Sequence, residues 1–254
     1  MRTVVISGGG TGIGRATAEL LARDGERVLI VGRRAEVLAR TAAEIGAAVP
    51  TAPAVETAAA DLADPGQVEQ LGARIAGELG RVDVLVNCAG GNVDLRTAAP
   101  PPNGLAGTAE SWTGNLRANV LTTVLLTEAL RDVLTSPGGR VVLISSIAAY
   151  RGSGGSSYGP AKAALHPYAF DLAAALGPRG ITVNVVAPGF IGDTEFFGDA
   201  LSPRRREALI AQTHTGRPGS PSDVASTIRW LASEAASHVT AQVIQVNGGA
   251  ERGH

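Results

Sequence analysis

The sequence predicts a doubly wound α/β sheet of seven parallel strands. Three observations carry this: short β-rich runs alternate with alanine-rich helical segments almost throughout, a glycine-rich turn joins the first strand to the first helix, and no linker-like stretch divides the chain. The first strand, 2–7, is the apolar run Thr3-Val4-Val5-Ile6-Ser7; the helix 12–23 follows its glycines, and a second strand occupies 27–31. A helix over 34–46 leads to a third strand at 55–60, which has little β-branching in Thr57-Ala58-Ala59-Ala60. Helix 65–79, strand 82–87, helix 109–134, strand 139–145, helix 157–176, strand 181–187, helix 221–234 and strand 242–246 complete the pattern. One domain over 1–254 is expected.

Two segments break the alternation. Residues 91–108 are rich in Gly, Pro, Asn and Thr around Pro100-Pro101-Pro102, and residues 190–220 contain a short helix near 203–212. Both follow the carboxyl end of a strand, where an open α/β sheet places its ligand crevice, so both are expected to grip a substrate.

Composition narrows the partners. At 44% hydrophobic residues and 4% aromatic, the core is expected to be aliphatic. The net charge of −1, with both signs dispersed, offers no basic stripe for nucleic acid and no polybasic cluster for a membrane surface. A small molecule is the expected partner. Cys88 is the single cysteine, and no Cys/His cluster has metal-ligand spacing, so neither a disulfide nor a metal is expected. The amino terminus lacks a charged segment followed by a long apolar run, and no apolar run approaches membrane-spanning length; a soluble, cytoplasmic protein is expected.

The turn Gly8-Gly9-Gly10-Thr11-Gly12-Ile13-Gly14 stands between a strand and an amphipathic helix. Glycines allow a tight turn and close approach to a pyrophosphate, whose charge then meets a helix N-terminus. After the second strand comes Gly32-Arg33-Arg34, where a carboxylate would favour NAD by bonding the ribose hydroxyls and repelling a 2′-phosphate. Arginines there favour NADP. A solvated helix start is the plainer account of the same two residues.

Of the 22 basic residues only Lys162 is a lysine, and it lies four residues after Tyr158. That spacing puts both on one helix face, about a turn apart. An adjacent ammonium favours the phenolate and brings proton donation by a tyrosine towards neutral pH. A surface Tyr-x-x-x-Lys pair is the alternative.

With these residues together, the chain resembles the short-chain dehydrogenase/reductase family in its short single-domain form, essentially end to end. Ser7 to Gly14 looks like the family's TGxxxGxG turn with serine for threonine, and the fold implied is of the Rossmann type. The resemblance implies cofactor contacts from Gly8, Thr11, Gly12, Ile13 and Gly14, and from Asp61 and Leu62 at the adenine. Asn87, Ala89 and Gly90 belong to a segment like NNAG, with Cys88 for the second asparagine. Pro188, Gly189 and Ile191 match the segment beside the nicotinamide, and Thr194 the threonine that binds its carboxamide, one residue later than usual.

By the same resemblance the catalytic set is Asn119, Ser146, Tyr158 and Lys162, of which Tyr158 and Lys162 also contact the cofactor, Lys162 at the nicotinamide ribose. Asn119 is implied to kink its helix and hold a water in a relay to the lysine. Ser146, twelve residues before Tyr158, is preferred to Ser145 at the commoner spacing of thirteen, because only one of two adjacent strand residues can face the site. Val246-Asn247-Gly248-Gly249 resembles the family's C-terminal VDGG and is expected to support the fold and a subunit contact. Pro167 removes an amide donor from the helix carrying Tyr158 and Lys162, so a kink is expected there, leaving the catalytic turn intact. The family implies a homodimer or homotetramer.

The implied reaction is NADPH-dependent reduction of a ketone, of the 3-oxoacyl or polyketide-like kind, free or bound to a carrier protein. Phe190, Phe196 and Phe197 concentrate in the second excursion, as an apolar wall of the site or as packing between lid and core. Arg204-Arg205-Arg206 reads as an anion contact or as a solvated face; His166, His214 and His238 are expected at surface or cap positions without a catalytic role, and His254 is terminal. Two alternatives are an NAD-dependent dehydrogenase of a sugar, polyol or hydroxy compound, and a non-catalytic dinucleotide-sensing regulator. Gly32-Arg33-Arg34 weighs against the first, the paired Tyr158 and Lys162 against the second.

Overall fold

The computed structural model describes residues 1–95, 104–154, 157–198 and 201–252. The expected proline run at 100–102 and His254 lie outside them. The strands are β1 (Thr3–Ser7), β2 (Arg27–Gly32), β3 (Glu56–Ala59), β4 (Val84–Asn87), β5 (Arg140–Ile144), β6 (Thr182–Pro188) and β7 (Val243–Val246). They form one parallel sheet in the order β3-β2-β1-β4-β5-β6-β7. The order reverses between β1 and β4, which pair from Val4↔Val84 to Ser7↔Asn87, so their carboxyl ends open at the switch point where such folds bind ligands.

A parallel sheet is covered on both faces, so its strands are apolar on both. The helices are α1 (Gly12–Arg23), α2 (Ala35–Ala48), α3 (Pro65–Glu78), α4 (Gly104–Leu116), α5 (Thr122–Leu130), α6 (Ala148–Arg151), α7 (Tyr158–Ala163), α8 (Leu165–Leu176), α9 (Pro203–Ile210) and α10 (Pro221–Leu231). Strand residues alternate between two cores. Val4 and Ile6 pack with Leu21 of α1, Leu38 of α2 and Ile228 of α10; Val5 and Leu85 pack with Leu71 of α3, Leu126 of α5 and Leu172 of α8. Helix starts are chemically marked: Asp64 caps α3 ahead of Pro65, and Ser220 and Asp223 form a reciprocal capping box ahead of α10.

Three helical expectations need correction. The segment expected at 109–134 begins at Gly104, so the first excursion is shorter than 91–108. That segment is also not one α-helix: Arg117–Leu121 forms a π-helical turn between α4 and α5. The segment expected at 221–234 leaves α-helical geometry after Leu231. The expected kink is present, as a break at Ala164 between α7 and α8. Pro167 has no N–H for the carbonyl of Ala163 and crowds it, so the interruption falls N-terminal to the proline and spares the Tyr158–Lys162 turn.

Leu85 is fully buried in the central strand β4. Leu85→Ala is expected to lower unfolding free energy by about 2–5 kcal/mol, read from urea titration, by lost burial and a residual cavity.

Candidate active site

A crevice of about 1250 Å³ runs along the carboxyl ends of the strands, from Arg33 and Asp61 at one end to Tyr158, Phe196 and Leu209 at the other. Its floor is the glycine turn. Gly8 and Gly12 adopt left-handed backbone conformations, with φ of 66° and 51°. A Cβ on Gly8 would sit 2.9 Å from the Ala89 backbone, so the turn and the segment after β4 approach too closely for any side chain. Ser7 fixes that approach: its Oγ accepts hydrogen bonds from the N–H groups of Cys88 and Ala89, both at 3.0 Å. The first turn of α1 has no side-chain cap from Thr11 and no acidic residue, which leaves its positive end available to an anion.

Arg33, Arg34, Asp61 and Leu62 line the outer end of the floor. Arg34 pairs with Glu195 at 2.8 Å, joining the end of β2 to the segment after β6, and Arg117 pairs with Asp61 at 3.2 Å. The Asp61 carboxyl is held below its ordinary range, first by the Ala63 backbone N–H and then by Arg117. Pro188, Gly189, Ile191 and Thr194 form the opposite wall, with the Thr194 methyl over Gly12.

Tyr158 and Lys162 stand on α7 at the inner end. Lys162 is 4% exposed, and its Nζ donates to the Ile144 carbonyl at 2.7 Å and lies 6.0 Å from the Tyr158 ring centre. Burial lowers its pKa to about 8. A Cβ on Gly90 would stand 3.0 Å from that nitrogen and 2.6 Å from Asn119 Oδ1, so glycine is required between lysine and asparagine. Cys88 is part of the same wall and lines the crevice, and burial pushes its thiol up to about 11.

Three of the expected site residues do not line the crevice. Asn119 is fully buried in the π-helical turn, where its side chain accepts from Gly91 N–H at 3.0 Å and donates to the carbonyls of Gly91 and Asn115 at 2.9 and 3.0 Å. Asn87 turns its amide towards Thr127 Oγ1 at 2.9 Å. Gly14 sits behind the turn, where a Cβ would strike the Gly8 carbonyl at 2.2 Å: it lets helix and turn touch. Asn87 and Gly14 thus brace the wall from behind.

The two serines separate clearly. Ser145 is 3% exposed and its Oγ donates to the Lys162 carbonyl at 3.0 Å, leaving it to accept from His166 Nε2 at 2.9 Å. Ser146 is less buried, lines the crevice, and accepts from Ala148 N–H at 3.1 Å. His166 is thus half-buried and bonded to Ser145, contrary to the surface or cap position expected for it; burial lowers its pKa. Its position one helical turn after Lys162 was the available signal. Sequence reading also missed Asn115, fully buried in α4, whose Nδ2 donates to Ser157 Oγ at 2.9 Å just ahead of Tyr158.

A Tyr-Lys pair at the carboxyl edge of a doubly wound sheet, across a crevice from a glycine turn, fits an oxidoreductase of the short-chain type. A family profile described as Enoyl-(Acyl carrier protein) reductase matches residues 8–251. The chain belongs to the short-chain dehydrogenase/reductase family. It is 32% identical over 253 residues to the 3-oxoacyl-[acyl-carrier-protein] reductase FabG of Escherichia coli, covering 98% of this chain and 96% of that one. It is 33% identical over 255 residues to the short-chain reductase protein NovJ of Streptomyces niveus, covering 96% and 92%. Among solved structures, a short-chain dehydrogenase/reductase of Brucella melitensis superposes with TM-score 0.85 at 32% identity, covering 99% of this chain and 97% of that one. YwfH, an NADPH dependent reductase involved in bacilysin biosynthesis, superposes with TM-score 0.85 at 25% identity, covering 100% and 99%. Among the described residues no helix is long and apolar enough to cross a membrane, and no group of His, Cys, Asp and Glu could hold a metal ion.

The depressed Lys162 pKa has a thermodynamic signature. Below about 8 both folded and unfolded chains hold the proton and the full cost of burying the charge is present; between about 8 and the ordinary 10.5 only the unfolded chain retains it, so stability rises with pH. The unfolding free energy of the wild type relative to Lys162→Met is expected to increase by on the order of 3 kcal/mol across that window. Parallel urea titrations at both ends of the window read it, and a flat difference would mean that Lys162 titrates normally.

Proposed function

We propose that this protein is an NADPH-dependent ketoreductase, converting a ketone to a secondary alcohol, with the physiological substrate in the class of 3-oxoacyl or polyketide-like ketones. The observation that carries the reading is the buried Lys162 ammonium 6.0 Å from the ring of Tyr158, beside a glycine cradle that a Cβ would fill. When bound, NADPH supplies the hydride that reduces the carbonyl carbon. Tyr158 supplies the proton that completes the hydroxyl, so a ketone, a hydride and a proton give an alcohol. Lys162 makes that donation easier by favouring the phenolate left behind.

Ser146, whose hydroxyl lines the crevice, is the serine assigned to the substrate oxygen; Ser145 is committed to the helix beneath. Asn119 positions the site. Its side-chain groups are taken up by Gly91 and Asn115, which leaves its main-chain carbonyl, already accepting from Thr123 Oγ1 at 3.1 Å, as the group for a water relay. Gly8, Thr11, Gly12 and Ile13 would hold the pyrophosphate, Asp61 and Leu62 the adenine, and Ala89, Gly90, Pro188, Gly189, Ile191 and Thr194 the nicotinamide half. The choice of NADPH rests on Arg33, which lines the adenine end and has no ion-pair partner among the described residues, with Arg34 beside it. The FabG resemblance supports the substrate class, carrier-bound or free, and a homotetrameric or homodimeric assembly in the cytoplasm goes with the same reading.

Tyr158→Phe is expected to lose carbonyl reduction by roughly a hundredfold or more while binding NADPH with unchanged affinity. Stopped-flow and fluorescence titration measure the two, and unchanged turnover would remove the proposed proton donor. Arg33→Ala is expected to reduce the kcat/KM preference for NADPH over NADH by roughly ten- to hundredfold, the contribution of charge-assisted hydrogen bonds to a 2′-phosphate. An equal loss with both cofactors would place the 2′-phosphate elsewhere.

A further inference from the structure

The charges along the crevice are unevenly arranged. The carboxylates that line it among the described residues are Asp61 and Glu195, and both stand at the adenine end, paired with Arg117 and Arg34. At the other end the lining charges besides the buried Lys162 are Arg151 of α6 and Arg205 of α9. Arg151 donates to two neutral acceptors, the Ala250 carbonyl at 3.0 Å and Gln212 Oε1 at 2.8 Å, which fix the guanidinium without neutralising it. Arg205 has no side-chain hydrogen bond or ion pair among the described residues, although ten other arginines have one to a carboxylate. Glu251, next to Ala250, is not among the residues lining the crevice.

These arginines border a side pocket of about 260 Å³. It shares Arg151, Gly152, Ser153, Arg205 and Leu209 with the main crevice, so the two spaces adjoin across these residues. The Ser153 hydroxyl at this junction is buried and has no hydrogen-bond partner among the described residues. Nearer to Tyr158 the wall is apolar: Phe196 packs tilted against the Tyr158 ring, centroids 5.4 Å apart, and edge-on against Phe197 at 4.9 Å. A ligand lying from Tyr158 to the side pocket therefore meets an aromatic wall first and unneutralised positive charge last.

We propose that Arg151 and Arg205 form an anion subsite, and that the ketone reduced at Tyr158 carries a carboxylate or phosphate beyond an apolar body. The proposal rests on the carbonyl-reduction reading and adds the charge of the substrate. Two guanidiniums with no carboxylate between them attract an anion, and guanidinium geometry suits both oxyanions. One is held in place beforehand, which reduces the ordering cost of binding. Arg204 and Arg206, the neighbours of Arg205, line neither space, so the side chain in the middle of the arginine run is the one that reaches the site.

The test compares keto acids with the ketone on the penultimate carbon, from levulinate upward in chain length, each with its own methyl ester, in wild type and Arg205→Gln. Arg205 is chosen because its side chain anchors no other segment among the described residues, whereas Arg151 ties down the C-terminal stretch. At the chain length that fits, the wild type is expected to favour the acid in kcat/KM by roughly tenfold or more, the scale of one charge-assisted hydrogen bond, and the acid-to-ester ratio to fall towards unity in Arg205→Gln. Because the ratio is taken within each protein, a general loss of folding or activity cancels. Acetoacetyl-pantetheine and its phosphorylated form make the second arm: a phosphate preference that Arg205→Gln removes, without a carboxylate preference, assigns the anion to a carrier-type phosphate. A ratio near unity in the wild type for both arms, or a preference that survives in Arg205→Gln, overturns the subsite. If no ketone is reduced, it is the carbonyl-reduction reading that fails, and calorimetric titration with the same pairs decides the subsite alone: tighter binding of the anion that Arg205→Gln abolishes upholds it, and equal binding overturns it.

Discussion

The constraint on which the site turns is the burial of the Lys162 ammonium against a carbonyl oxygen. Removing a charge from water costs several kcal/mol, and a single neutral acceptor offsets only part of it. The Ile144 carbonyl can meet Lys162 only because β5 ends there and α7 crosses above it. Ser145, the next residue, holds the Lys162 main chain from below, and Gly90 yields the space beside Nζ. The strand end, the helix and the segment after β4 are thereby set relative to one another around one nitrogen.

The supports of that arrangement come from opposite sides. Asn119 ties the π-helical turn to Gly91, and Asn115 ties α4 to Ser157 at the head of α7. Ser7 ties β1 to the backbone of Cys88 and Ala89, whose segment leads into Gly90. Each bond joins elements that are distant in sequence and adjacent at the carboxyl edge of the sheet. The site is consequently a property of the sheet's edge, where strand order reverses, rather than of any one motif.

Much of this was legible in the sequence because the signals were local. Val- and Ile-rich runs located the strands, and the run with least branching, 55–60, proved the short edge strand β3 at Glu56–Ala59. The proline at 167 announced the helix break because its effect falls four residues back. Spacing could bring Asn87, Gly14 and Asn119 near the crevice, but it could not say on which side of the wall each side chain lies, since that depends on partners such as Thr127 and Gly91 supplied by other segments. His166 was misjudged for the same reason: its bond to Ser145 requires β5 and α8 to meet. Likewise the Arg34–Glu195 pair spans 161 residues of chain and leaves no local pattern.

Lys162 being the sole lysine has a further consequence, concerning proteolysis. A protease that cuts only after lysine has one susceptible bond in this chain, Lys162–Ala163, and it lies inside α7 with the lysine side chain almost wholly enclosed. Such an enzyme cannot reach the bond until that helix leaves the sheet, so every cleavage records an opening of the helix that carries Tyr158 and Lys162. Fraying of termini and surface loops, which confuses digestion by less selective proteases, would go unseen. The residue whose charge shapes the site also makes the chain its own gauge of how often that site comes apart.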